Sequence, residues 1–225
     1  MAVMKVEYTA DGFAIITMQN GENRLNQVYI DEMTKILDDI ERNEDVKAVI
    51  TTGEGKFYSN GLDLKWMQSE REDVVNNFRI NLGQLQWRIA HFPLPTVALI
   101  NGHAFAGGAF IAAAHDYRVM NVKRGWICWN EILINLRLQQ DSLDLLRYKF
   151  GRMEALREAV LFAKRFPAKR ALELGIVDIA GEPENLLKEA KQIALKALGT
   201  NGIDRGMLQT MKKDLFPRLH FRSKI

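Results

Sequence analysis

Asn101-Gly-His-Ala-Phe-Ala-Gly-Gly-Ala-Phe-Ile-Ala-Ala-Ala-His-Asp116 joins a strand to a helix-like run through two glycines and says most about the architecture of this chain. It comes directly after Thr96 to Ile100, a short apolar run that reads as a buried strand. Asn101-Gly102 turns the chain out of that strand, and a run of small residues from Ala104 to Ala114 follows. The same order occurs upstream. Val46 to Thr52 reads as a buried strand closed by Gly53, and Phe57-Tyr-Ser-Asn-Gly-Leu-Asp-Leu64 comes next.

Outside these two units, Val3 to Tyr8 and Phe13 to Met18 read as strands with Asp11-Gly12 as their hairpin turn. Val28, Ile30, Met33, Ile36, Leu37 and Ile40 recur at helical spacing within Asn26 to Arg42. Leu64 onward is polar and helical, and Asp73 to Ala90 reads as a longer helix. His91-Phe-Pro-Leu-Pro95 stops it, because proline cannot continue a helix. Tyr117 to Met120 and Trp126 to Cys128 read as further strands. From Ser142 the character is helical, with breaks near Gly151, Pro167, Gly175, Gly181-Glu-Pro183 and Gly199. Strand–helix alternation over the first part implies an α/β fold with a largely parallel sheet. The expected division is a catalytic core over 1–185 and a helical region over 186–225 that caps the core or mediates assembly.

Composition narrows the function. Of 225 residues 47% are hydrophobic, enough for one sizeable core, and 26% are charged, which argues against wholesale disorder. A net charge of +3 suits a small anionic ligand and lacks the clustered basicity of a nucleic-acid binder. The lone Cys128 forms no intrachain disulfide. The scattered His91, His103, His115 and His220 show no metal-ligand spacing, so no metal is expected. No apolar run is long enough to span a membrane, and Met1 onward leads straight into strand-like sequence, unlike a signal or transit peptide. Gly53-Glu-Gly-Lys56 lacks the spacing of a phosphate loop, and no G-x-S-x-G elbow is present.

The two quoted loops together resemble the signature loops of the crotonase (enoyl-CoA hydratase/isomerase) superfamily, F-S-x-G-x-D-L followed by N-G-x-A-x-G-G-x-x-x-A-x-x-x-D. Trp129-Asn-Glu-Ile-Leu-Ile134 resembles the family's P-E-x-x-x-G signature. Phe166-Pro-Ala-Lys-Arg-Ala-Leu-Glu-Leu-Gly-Ile-Val-Asp178 resembles the stretch that ends in G-L-V-D. Four weak motifs in order over residues 10 to 180 make a strong resemblance. Ser59-Asn-Gly-Leu-Asp-Leu64 looks closest to the Δ3,Δ2-enoyl-CoA isomerases. The resemblance implies a crotonase-like ββα spiral core and an acyl-CoA thioester as substrate. CoA then belongs to the substrate, and no separate cofactor is needed.

It further implies an oxyanion hole made by the backbone N–H groups of Asn60 and Gly107. Chemistry beside a thioester passes through an enolate, and preorganised donors stabilise its oxygen by about 3–4 kcal/mol each. Gly107-Gly108 at a helix start permits close ligand approach and adds the positive end of the helix dipole. Packing alone could also require both glycines. The backbone around Leu62, Asp63 and Leu64 is expected to meet the adenine of CoA, with Gly108 and Phe110 also at the substrate.

Carboxylates select the reaction. The hydratases that the chain resembles use two glutamates, one three residues after the equivalent of Gly107 and one in the P-E signature. Here the first position is Phe110 and the second is Glu131. One base suffices for a 1,3-proton shift, and a phenyl ring makes the pocket drier and raises the pKa of a neighbouring carboxylate. Glu131 is therefore the expected catalytic residue, half-buried beside Trp129, Ile132 and Ile134. The expected function is isomerisation of 3-enoyl-CoA to trans-2-enoyl-CoA. A dienoyl-CoA isomerase, a hydratase or a non-catalytic acyl-CoA binder are the alternatives. Asp63 and Asp116 read as structural acceptors of backbone N–H groups, and His103 receives no role.

Asn130 stands where the family usually has proline and Asn135 where it has glycine, departures able to re-aim Glu131. Lys212, Lys213, Arg218 and Arg222 read as a solvated basic face, with a contact to CoA phosphates across a subunit boundary as the alternative. Family relatives form trimers or pairs of trimers, which implies the same here. Ser223-Lys224-Ile225 resembles the Ser-Lys-Leu address read by the peroxisomal import receptor, so a peroxisome is expected, with the cytoplasm as the alternative.

Overall fold

A computed structural model describes residues 3–218. The hairpin forms as the sequence requires. β1 (Met4–Tyr8) and β2 (Phe13–Met18) pair antiparallel with Met4 opposite Met18, and Gly12 holds φ +91° in the turn. β3 (Ala48–Gly53), β5 (Thr96–Ile100), β7 (Tyr117–Asn121) and β9 (Ile179–Gly181) then add in parallel, giving the order β1-β2-β3-β5-β7-β9. A second, smaller parallel sheet runs β4 (Phe57–Ser59), β6 (His103–Phe105), β8 (Ile127–Cys128). Each small-sheet strand follows a large-sheet strand and precedes a helix or turn. The two signature loops are thereby brought side by side.

Helices surround the sheets: α1 (Gln27–Arg42), α2 (Leu64–Ser69), α3 (Glu72–Ala90), α4 (Gly107–Ala114), α5 (Gln140–Lys149), α6 (Met153–Leu156), α7 (Ala168–Glu173), α8 (Leu186–Leu198) and α9 (Arg205–Leu215). A π-helical turn, Arg157–Leu161, extends α6. Period-2 alternation divides the large sheet between two cores. Ala14, Ile16, Val49, Ala98, Ile100 and Met120 face the main core with α1, α3 and α4. Phe13, Ile15, Ile50, Val97, Leu99 and Val119 face the other way, onto Leu186, Ala190 and Ala194 of α8. α8 thus covers an otherwise exposed sheet face and shares a core with residues 1–185.

Three strands went unread in the sequence: β4, β6 and β9. Each has three residues, too few to express alternation, and β6 lies inside what reads as one small-residue run. The Asn26 side chain caps α1 by accepting from Tyr29 N–H, and α3 ends at Ala90, just before the proline-containing stop.

Candidate active site

The loop after β4 is shaped by Gly61. Its φ is +79°, and a Cβ there would lie 2.9 Å from the Phe105 carbonyl oxygen. Leu25 N–H donates to Gly61 O at 2.8 Å and Asp63 N–H donates to Leu25 O at 2.9 Å. In this one-residue parallel bridge the N–H of Leu62, between the two bonds, points away from Leu25. Asn60 does not offer the donor expected of it. Its N–H donates to Glu22 O at 2.9 Å, and its side chain helps to hold the Glu22 carboxyl below its ordinary range. Among the described residues, the N–H groups of Leu62 and Gly107 have no acceptor.

α4 starts at Gly107, and all eight of its residues are buried. A Cβ on Gly107 would meet Leu25 Cδ1 at 2.9 Å and Leu62 Cδ2 at 3.4 Å, which sets Gly107 beside Leu62. A Cβ on Gly108 would stand 2.6 Å from Ser59, so this glycine seats α4 on β4. That geometry gives Gly108 a packing role. Ala106, just before the helix, holds φ +47° and ψ −123°, a conformation costly for any residue with a Cβ. Its N–H donates to Cys128 O at 2.9 Å, tying the α4 entry to β8.

Glu131 stands three residues beyond that tie, at the start of a 3-10 turn, Glu131–Ile134. It is 5% exposed, and its Oε2 has no hydrogen-bond partner among the described residues. Burial, only partly offset by its own backbone N–H, pushes its pKa from 4.5 up to about 7. Trp129 is fully buried, edge-on to Phe110 at 6.3 Å and to Phe150 at 5.2 Å. Phe110 therefore lines the dry side of this segment. Glu131 is more buried than its apolar neighbours suggested, while Ile132 and Ile134 are themselves exposed, with Leu133 at 68%. A cavity of about 730 Å³ is lined by Glu131, Ile132, Asn135 to Gln140, Leu143, Val160 and Leu161.

The two departures from the family pattern have structural answers. Asn135 is left-handed at φ 54° and ψ 29° and ends the 3-10 turn. Asparagine is the residue that best replaces glycine there. Asn130 has φ −106°, outside the range of a proline ring.

The enoyl-CoA hydratase/isomerase family model matches residues 9–217. Enoyl-CoA delta isomerase 3 of Arabidopsis thaliana is 31% identical over 95% of this chain and 92% of its own. The peroxisomal enoyl-CoA delta isomerase 2 of the same plant is 30% identical over 95% and 92%. An enoyl-CoA hydratase/isomerase family protein of Pseudomonas syringae superposes with TM-score 0.84 at 27% identity, covering 95% of this chain and 90% of that one. This chain belongs to the enoyl-CoA hydratase/isomerase family. It has the crotonase fold, and enoyl-CoA isomerase/hydratase chemistry is the activity of its class.

The other polar residues of this crotonase-fold chain sort by partner. Asp63 caps α2 by accepting from Trp66 N–H, and Asp116 accepts from Thr96 N–H and Oγ1. Both are structural acceptors, as read. Lys212 corrects the expectation of a solvated basic face. It is 6% exposed, and its Nζ donates to Phe92 O, Leu94 O and Asp116 Oδ2. Arg218 pairs with Asp141. Arg222 and His220 lie outside the described residues. Among the described residues no His/Cys/Asp/Glu cluster could hold a metal, and no helix is long and apolar enough to cross a membrane. Sequence reading missed the free Leu62 N–H and the cavity walls at Leu143, Val160 and Leu161. No local pattern marks either, because Leu25 sets the first and the packing of the α6 extension sets the second.

Proposed function

We propose that this chain is a Δ3,Δ2-enoyl-CoA isomerase that shifts the double bond of 3-enoyl-CoA to trans-2-enoyl-CoA. The thioester oxygen accepts from Leu62 N–H and Gly107 N–H, and the acyl chain enters the cavity beside Glu131. Ionised Glu131 removes a proton from C2. The C–H electron pair moves toward the thioester, and the negative charge settles on the oxygen held by the two donors. The dienolate then collapses, the double bond forms between C2 and C3, and C4 takes the proton back from Glu131 Oε. No proton is gained or lost overall.

The observation that carries this reading is a buried carboxyl, Glu131, with a pKa near 7 at the edge of a cavity. A base works best when its pKa lies close to the working pH. The adenine contact expected at Leu62, Asp63 and Leu64 belongs to the same proposal, since these residues adjoin the donor loop. Turnover of 3-hexenoyl-CoA, assayed beside formation of 3-hydroxyacyl-CoA, tests the reading. Isomerisation without hydration is expected, and hydration as the main reaction would overturn it.

Assembly and location are part of the proposal. Met207, Met211 and Leu215 form an exposed apolar stripe along α9, suited to a homotrimer or dimer of trimers. Light scattering gives the mass directly. Ser223-Lys224-Ile225, outside the described residues, joins the peroxisomal Arabidopsis relative in favouring a peroxisome. Deleting these three residues from a tagged chain should leave it outside peroxisomes.

A further inference from the structure

The segment after α9 crosses back over α3 and α5. His91 Nε2 donates to Phe216 O at 2.8 Å, and the Phe216 ring lies against Tyr148 at 6.0 Å. Arg218 then reaches Asp141 with two nitrogens on one carboxylate oxygen, Nε at 2.7 Å and Nη2 at 2.6 Å. The guanidinium sits over Gly83, where an added Cβ would be 3.6 Å from Nη2, and its centre is 6.0 Å from the Trp87 ring. The two side chains are 19% and 15% exposed, so the pair is screened less than a surface ion pair.

Asp141 lies in the first turn of α5. Its neighbours Gln139, Gln140 and Leu143 line the cavity next to Glu131. Among the described residues no side-chain hydrogen bond caps this end of α5. The helix end that walls the cavity is therefore tied to the body of the protein through Arg218.

We propose that Arg218 is a positioning residue that fixes the α5 wall of the cavity and so sets which acyl chain lengths the protein accepts. This rests on reading the cavity as the acyl site. Short chains sit near Glu131 and do not sense the far wall, whereas long chains require it in place.

The test compares wild type, Arg218→Gln and Arg218→Lys on 3-hexenoyl-CoA and 3-dodecenoyl-CoA. In Arg218→Gln, KM for the dodecenoyl ester is expected to rise about fivefold, with that for the hexenoyl ester changed less than about twofold and kcat kept. Arg218→Lys keeps the charge but loses the planar fork, and should restore part of the difference. Equal shifts at both lengths, or none, would overturn the proposal. Should Arg218→Gln fail to fold, Asp141→Asn removes the same pair from the other side and is judged by the same ratio. Calorimetric Kd values for saturated hexanoyl-CoA and dodecanoyl-CoA separate the two levels of inference. If wild type binds both esters but isomerises neither enoyl ester, the isomerase reading fails, and the length dependence of Kd still decides the role of Arg218. If wild type binds neither ester, both readings fall.

Discussion

The two halves of the candidate site are built by opposite means. The donor half, from Gly61 to Asp63 and from Ala106 to Ala114, is made of backbone. Its side chains are mostly small, α4 is wholly buried, and glycines are needed because Ser59, Leu25 and Phe105 leave no room for a Cβ. The base half, from Trp129 to Leu136, rests on one side chain at the start of a short turn whose next three residues are exposed. Main-chain donors are fixed by packing over a long span and tolerate little change around them. A single carboxyl is set by its local environment and can be altered without disturbing the fold.

This contrast has measurable consequences, the largest of them on the base side. Glu131→Gln is expected to lower kcat on 3-hexenoyl-CoA by about 10³-fold with little change in KM. An unchanged kcat would remove the base half from the account.

The next effect is on stability. Glu131 has its pKa raised in the folded chain, from 4.5 to about 7, so its contribution is fully present below pH 4.5 and is lost as pH rises toward 7. Denaturant titrations should show wild type losing about 3 kcal/mol relative to Glu131→Gln between pH 4.5 and pH 8. By the same ionisation, kcat/KM should increase with pH up to about 7 and then level off. Parallel stability curves for the two proteins would mean that Glu131 is solvated.

On the donor side the sign reverses, since fold and activity should fall together. Gly108→Ala places a methyl group 2.6 Å from Ser59, and overpacking of this kind costs about 1–3 kcal/mol. A lowered midpoint with reduced kcat is expected, and a stable, fully active variant would contradict the packing described for α4.

The smallest effects concern backbone conformation. Ala106→Gly should stabilise the fold by about 1 kcal/mol by relieving the positive φ. Asn135→Ala should cost about 1 kcal/mol, and Asn135→Gly much less. Thermal unfolding distinguishes the three.

The same division explains what could be read from the sequence. β1, β2, β3, β5 and β7 and the helices α1 and α3 were legible because each is long enough to show a period or an unbroken apolar run, with Gly, Asn or Pro breaking the chain nearby. β4, β6 and β9 were not, for want of length. Glu131 was singled out by resemblance to the family's P-E signature, and the structure buries it. The second donor was misplaced at Asn60 because the choice between neighbouring amides depends on Glu22 and Leu25, far upstream in the chain. Lys212 looked like a solvated lysine because its three acceptors come from residues 92, 94 and 116. Asn135 looked like a departure until its left-handed backbone gave the reason for it.

The most direct test follows the proton itself. With 3-hexenoyl-CoA deuterated at C2 and incubated in ordinary water, Glu131 acting as the one base should deliver part of the label to C4 of the 2-enoyl product, as read by mass spectrometry or NMR. Glu131→Gln should abolish that transfer. A product carrying only solvent hydrogen at C4, formed at an undiminished rate by Glu131→Gln, would contradict the account.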